Sequence, residues 1–450
     1  MRKIFTFFLF MFGVLVQLKA QTDLPQGPYD LQTCVEIALE NNLTLKRTLL
    51  NQEITEATML QNQGQRIPSL SMGASSGYRW GRSINPVTNL FENNRIGNIN
   101  LFANTSVTLF GGMRINNSIA QARKDLETGQ FSVQATTNQV SLDIINQFIN
   151  VVFNREQVKI AENQLKSTSE QLERTTKLVN AGSLPLSDQL DLQSQNATNQ
   201  LEVINAKNSL RQAKLALAQA MQIPFSESFD VVEPDFEVTD YEMVSNDPSA
   251  IYEIAIDMMP EIKAAEAAVE SAEYGVKIAK GTFFPTLGMS GNIFSNYVDQ
   301  PGFGSSEIPA FGTQIENNLS QSANLQLNIP IFTNFNNRAS VQRARAQKAL
   351  AEVDHIQAKN QLRQDIETAY NQALAAEQSY EASLIRVKSL GETFRIAQQR
   401  FDLGAINSVD FQVAQNNLFN AQADLLNAKY TYIFRIKVLE FYLGNPINLN

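Results

Sequence analysis

The sequence predicts a mainly α protein with a membrane β-barrel portion, built as a tandem repeat of helix, β-hairpin, long helix and helix. Three observations carry that reading. The two halves of the chain match each other, helical periodicity runs far beyond globular lengths, and stretches of period two lie between the helical ones.

The match comes first. Moving the second half back by 222 positions lays Phe332 on Phe110, Arg345 on Arg123, Lys388 on Lys166, Gly404 on Gly182, Asp410 on Asp188, Lys429 on Lys207 and Pro446 on Pro224. No gap is needed from Phe110 to Pro224. An earlier stretch matches at a shift of 217, with Ala255 on Ala38, Gly281 on Gly64, Pro285 on Pro68 and Met289 on Met72. A unit near 200 residues is too long for a solenoid repeat, so the architecture itself is duplicated. Repeat 1 covers 21–224 and repeat 2 covers 249–450.

Residues 1–20 read as a secretory signal: Arg2 and Lys3, an apolar run over 4–16, then Lys19 and Ala20 before a polar stretch. That segment holds three of the 36 basic residues and no acid, so its removal moves the net charge from −9 to −12. An acidic chain of this kind is a poor partner for nucleic acid. The single cysteine, Cys34, excludes an intrachain disulfide and sits in an apolar helical pattern as a small core side chain.

The helices follow in order. In repeat 1 they are expected over 29–66, 112–180 and 186–222; in repeat 2, over 249–283, 334–402 and 408–443. In the first long segment Ile115, Ile119, Ala122 and Leu126, then Val140, Ile144, Phe148 and Val151, recur at steps of three, four and seven. About 69 residues at 1.5 Å each make a rod of roughly 100 Å. Such rods need lateral partners, hence coiled-coil packing. Each ends at a glycine, Gly182 or Gly404, suited to a left-handed cap. The shorter helices are half as long, so the simplest packing stacks two of them beside each rod. The acidic stretch 225–248, with Pro234 and Pro248, then reads as a linker midway along the rods.

The hairpins are expected over 68–110 and 285–332. Leu70, Met72 and Ala74 alternate with Ser69, Ser71 and Gly73, and Leu101, Ala103 and Val107 alternate with Asn100, Asn104 and Ser106. Repeat 2 sets Leu287, Met289 and Ile293 against Ser290 and Asn292, and Leu325 and Leu327 against Asn324 and Gln326. Lipid outside and water inside produce this pattern. Tyr78, Trp80 and Tyr297 gather at the loop ends, and Phe110, Phe284 and Phe332 at the helix ends, as two aromatic belts. The loops 81–97 and 298–320 are long and rich in Asn, Gly, Ser and Pro. Four strands leave two open edges, which lipid does not tolerate. Sister copies must therefore complete the wall. Two would give eight strands and a filled interior; a water-filled tube favours three.

Signal, duplicated rods, paired hairpins and the twice-repeated tip pattern Gly-x5-Asp (Gly182 to Asp188, Gly404 to Asp410) together resemble the TolC-like outer-membrane factors of Gram-negative bacteria. The resemblance spans essentially the whole chain after the signal. It implies a homotrimer with a twelve-stranded barrel in the outer membrane and a twelve-helix coiled-coil tunnel in the periplasm. It further implies a periplasmic adaptor and an inner-membrane transporter as partners, and a passive porin-like exit for efflux or type I secretion. The periplasmic entrance would carry Asp188, Asp191 and Asp410 as rings of carboxylates. An Asp near a helix start is also favoured by the helix dipole alone. Relatives often carry a second acid where this chain has Val413, and some have a tyrosine where it has Phe401. The tip turns, with Gly182, Ser183, Gly404 and Ala405, are the expected adaptor contact.

Two other classes compete. Catalysis finds little support: the one histidine, His355, lies in the second rod, and no nucleophile pairing, metal spacing or phosphate loop stands out. No cofactor or metal is expected. A coiled-coil structural or adhesin protein of the cell envelope would account for the rods but not for the membrane-type strands.

Overall fold

The computed structural model describes residues 28–84, 89–232, 247–299 and 309–445. The expected signal, most of the acidic linker and the tips of both outer loops lie outside these residues. The described chain runs α1 (Leu31–Asn41), α2 (Leu43–Gly64), β1 (Ser69–Ile84), β2 (Phe91–Gly111), α3 (Arg114–Asn180), α4 (Leu186–Ala220), α5 (Pro248–Met258), α6 (Pro260–Gly281), β3 (Thr286–Asp299), α7 (Phe311–Asn317), β4 (Ser320–Asn328), α8 (Asn336–Asp402) and α9 (Ser408–Tyr442).

Both rods, α3 and α8, are 67 residues long, and both return helices, α4 and α9, are 35. The half-length segments differ from the single helices expected. The first divides at Asn42, whose backbone is extended and whose side chain accepts the Leu45 N–H as an N-cap. The second divides at Met259, because Pro260 cannot donate into a continuing helix and pushes the residue before it out of helical geometry.

The chain forms two compact units. One contains residues 144–237 with the stretch up to Ala38. Here Phe148, Val151 and Val152 of α3 and Leu192, Leu217 and Met221 are almost wholly buried. A short parallel bridge joins Tyr29 to Val231: the Tyr29 N–H donates to the Asp230 carbonyl at 2.9 Å, and the Val232 N–H to the Tyr29 carbonyl at 2.8 Å. The Tyr29 and Phe229 rings meet beside it at 5.4 Å. Lys214 (3.0 Å) and Arg155 both pair with the Asp230 carboxylate. Its pKa is subject to burial, which pushes it up. The Lys214 hydrogen bond, the Val231 N–H and the Arg155 charge outweigh that and hold it below the usual carboxylate value.

The other unit contains residues 39–143 and 238–448. Its helical core joins Ile251, Ala255 and Met259 to Leu362, Ile366 and Ala373 and to Tyr432, Ile436 and Leu439. Ala369, Ala373 and Ala376 of α8 are buried in this core, and the Tyr380 and Tyr432 rings stack at 5.9 Å. This unit also holds the four strands found among the described residues, in one antiparallel sheet of order β1-β2-β3-β4. None of the described helices is long and apolar enough to cross a membrane.

Candidate functional site

The sheet has two chemically distinct faces. Register places Leu70 opposite Thr105, Met72 opposite Ala103 and Ala74 opposite Leu101; Ala103 in turn faces Ile293, and Met289 faces Leu325. These share one face. The other carries Ser71, Asn104, Asn292 and Ser322 in one row and Ser75, Asn100 and Asn296 in another. A bulge at Leu109 changes the parity of β2, so that Phe110 pairs with Leu287 and joins the apolar face.

That apolar face is bare. Leu70, Met72, Leu325 and Leu327 are 75%, 82%, 66% and 60% exposed. Fully burying such side chains is worth about 1.5–3 kcal/mol each. In water these four would forgo roughly 4–8 kcal/mol, comparable with the whole stability of a domain. A lipid environment removes that penalty. From Leu70 to Trp80 the strand rises about 34 Å, or about 26 Å of membrane at a tilt near 40°, which matches the apolar band of a transmembrane barrel.

The band has marked ends. At the loop end the Tyr78 and Trp80 rings lie 5.9 Å apart, and Tyr297 meets Phe311 at 5.4 Å. Arg95 pairs with Asp299 at 3.1 Å and lies over the Tyr78 ring at 5.1 Å. Tyr78 in turn lies over Gly97, where an added Cβ would come within 2.7 Å of the ring. At the helix end Phe284 and Phe332 are exposed, and Phe332 meets Phe335 edge-on at 5.9 Å. The first pair of strands continues past the upper belt, to Ile84 and from Phe91, into what the sequence suggested was loop. Arg82 over the Phe91 ring at 4.7 Å closes that extension.

Two edges are open, β1 and β4. The last strand is short: β4 pairs with β3 only as far as Phe294 and Ser320. Beyond that point α7, within the expected loop 298–320, covers β3. The Gln314 side chain accepts the Val298 N–H at 3.0 Å and donates to the Val298 carbonyl at 3.1 Å, as a neighbouring strand's peptide would. Asn318 donates to the Asn296 carbonyl at 2.7 Å, and Ser295 to that of Ile315 at 2.7 Å. A cavity of about 720 Å³ opens near the helices, lined by both polar groups, Ser69, Ser106, Ser290 and Gln326 among them, and apolar ones such as Ile115 and Ile278.

The turns from sheet to rod are duplicated in backbone detail. Gly112 and Met113 both have φ of +63°, and their counterparts Asn334 and Phe335 have +49° and +64°. At Gly112 an added Cβ would lie 2.3 Å from the Gly281 carbonyl oxygen, so two backbones touch there.

At the far ends of the rods both turns form the same Schellman cap. Ser183 N–H reaches the Leu178 carbonyl and Gly182 N–H that of Val179, both at 2.9 Å. Ala405 reaches Arg400 at 2.8 Å and Gly404 reaches Phe401 at 2.9 Å. Gly182 and Gly404 have φ of +73° and +70°, which only glycine adopts freely. The return helices start differently. Pro185 gives α4 no side-chain cap, whereas Asn407 caps α9 through the Asp410 N–H at 2.8 Å. Asp188 lies half-buried in the first turn of α4 and Asp191 is exposed one turn on; Asp410 is exposed in the first turn of α9.

The helix pairs behind these turns differ in kind, which the sequence reading missed. In the first unit a polar seam joins α3 and α4: Thr168 and Thr175 are fully buried, and Asn199 donates to Thr168 Oγ1 at 2.8 Å. In the second unit α8 and α9 close around Phe411, 1% exposed, with Phe401 stacked on it at 4.9 Å and Phe394 at 5.7 Å. The available signal was the seven-residue spacing of Phe394 and Phe401.

The model of the outer membrane efflux proteins matches residues 34–221 and 251–445, one match for each repeat. The chain belongs to that family. It is an outer-membrane channel reaching into the periplasm, of the kind that forms the exit duct in efflux and type I secretion. Family members form trimers and act with periplasmic adaptors and inner-membrane transporters. Among relatives, the outer membrane efflux protein BepC of Brucella suis biovar 1 is 24% identical over 72% of this chain and 67% of its own length. The alkaline protease secretion protein AprF of Pseudomonas aeruginosa is 22% identical over 74% of this chain and 66% of its own. The crystal structure of VceC from Vibrio cholerae shares the fold, with a TM-score of 0.74 at 18% identity over 93% of this chain and 97% of that one.

Proposed function

We propose that three copies of this chain close a twelve-stranded barrel over a twelve-helix tunnel and serve as a passive exit duct. An inner-membrane transporter would supply the energy, reached through a periplasmic adaptor. One observation supports this above the others: a four-stranded sheet with both edges open and one bare apolar face. Such a sheet is stable in lipid only as part of a closed wall. Outer-membrane lipid would meet it between the belt of Tyr78, Trp80 and Tyr297 and the belt of Phe110, Phe284 and Phe332. Relatives named for efflux and for alkaline protease secretion support an export role in this reading. The duct itself does no chemistry on what passes.

In this reading Asp188, Asp191 and Asp410 of the three copies ring the periplasmic entrance and favour cations. The turns with Gly182, Ser183, Gly404 and Ala405 are where the adaptor docks. Purified protein in planar bilayers should give discrete, cation-preferring conductance steps. Replacing all three aspartates by asparagine should change the conductance and lower the cation preference. Bilayers that stay silent would overturn the duct, and an unchanged triple variant would remove the gate.

A further inference from the structure

The hydrophilic face of the sheet carries two aromatic rings that the duct does not need. One row across the sheet reads Gly73, Phe102, Phe294 and Ser320. The rows on either side are neutral and polar, Ser71-Asn104-Asn292-Ser322 and Ser75-Asn100-Asn296. Directly opposed residues of antiparallel strands share a face with Cβ atoms about 5 Å apart. The two side chains therefore spring from neighbouring positions among asparagines and serines. Phe102 is 36% exposed and Phe294 half-buried.

A glycine lies beneath one of them. The Phe102 ring lies over Gly73, where an added Cβ would come within 2.4 Å of its Cζ, so this ring doubles as cover for a bare stretch of β1. Phe294 is opposed on its other side by Ser320 and has no such glycine. Nor is either ring a copy of the other: the duplication puts Asn324 in the place of Phe102 and Gly77 in the place of Phe294. Two unrelated positions meet only because β2 of one repeat pairs with β3 of the next.

We propose that Phe102 and Phe294 form a binding level inside the barrel for aromatic molecules, above all cationic ones. The proposal rests on the trimeric duct, in which the polar face lines the bore and each trimer presents six rings at one height. A twelve-stranded barrel is roughly 24 Å across between backbones. Side chains from three directions narrow that enough for a passing molecule of drug size to touch the wall. Ring faces attract large organic cations and stack on other rings, whereas the flanking Asn and Ser offer a cation only carbonyl and hydroxyl oxygens and have no ring to stack on.

The test is current block in planar bilayers, with the blocker on the side of the strand loops. Tetraphenylphosphonium should block the wild-type channel, and tetramethylammonium, of equal charge but without rings, should not. The F294L variant leaves Phe102 on Gly73 and should assemble normally. With it, and with F102L/F294L, half-block should need roughly ten times more tetraphenylphosphonium. Equal block in wild type and variants would overturn the proposal, as would equal block by both ions. Loss of block in D188N rather than F294L would place the contact at the tip and overturn it too. A wild-type protein that gives no current at all overturns the duct, a failure distinct from conducting channels that ignore the rings.

Discussion

Replacing Phe411 by alanine tests how the tip of the second repeat is held. The ring is 1% exposed and lies against Phe401 at 4.9 Å and Phe394 at 5.7 Å. An aromatic side chain buries about 150–200 Å², worth about 4–5 kcal/mol at 25 cal/mol per Å². That agrees with the usual cost of about 3–5 kcal/mol for Phe→Ala in a core. Because the site is the end of a long helix pair, the loss should appear as local opening rather than global unfolding. Amide hydrogen exchange is the assay. Protection over 395–415 should fall by about 100- to 4,000-fold, while the helical core around Ile366 and Ile436 stays as it was. The matching change in repeat 1, Gln189→Ala, removes a half-buried polar side chain and should shift protection less than threefold. A drop below tenfold at the tip, or an equal drop at Ile366, would refute the aromatic clasp.

Further outcomes follow from single positions. Gly112→Ala should abolish assembly, since its Cβ would lie 2.3 Å from the Gly281 carbonyl oxygen at a φ of +63°. Gly182→Ala, at +73° but with nothing within 4 Å, should cost only about 1–2 kcal/mol; thermal unfolding and gel mobility separate the two. Burial pushes the Cys34 thiol up to about 12, with the Asp30 charge adding to it. Maleimide at pH 8 should therefore label Cys34 only after denaturation. The lowered Asp230 carboxyl contributes stability that is present above the ordinary carboxylate value and lost as pH falls through its own. Asp230→Asn should destabilise by at most about 1 kcal/mol at pH 7, since the group is 45% exposed, and by nothing near pH 2 in thermal unfolding.

Periodicity made the rods and strands legible, because each is long enough for one face to repeat many times. The breaks at Asn42 and Pro260 were not read, because within long apolar patterns their signals are local and the pattern outweighs them. Nor was the helix α7. It lies in a Gly- and Pro-rich stretch and is held by Gln314 and Asn318, whose partners are backbone groups of β3. The tip acids and glycines stood out through the duplication. The Phe411 clasp and the Thr168–Asn199 seam did not, because each depends on which side chains meet across two helices and the repeats differ at those positions. The pairing of β2 with β3 joins the repeats, so no comparison of one repeat with the other could reveal the Phe102 and Phe294 row.

The most direct measurement is the native mass of the detergent-solubilised particle extracted from outer membranes. Three chains per particle are expected, resistant to detergent until heated. A stable, fully folded single chain, with the β1 and β4 edges both unpaired, would contradict it.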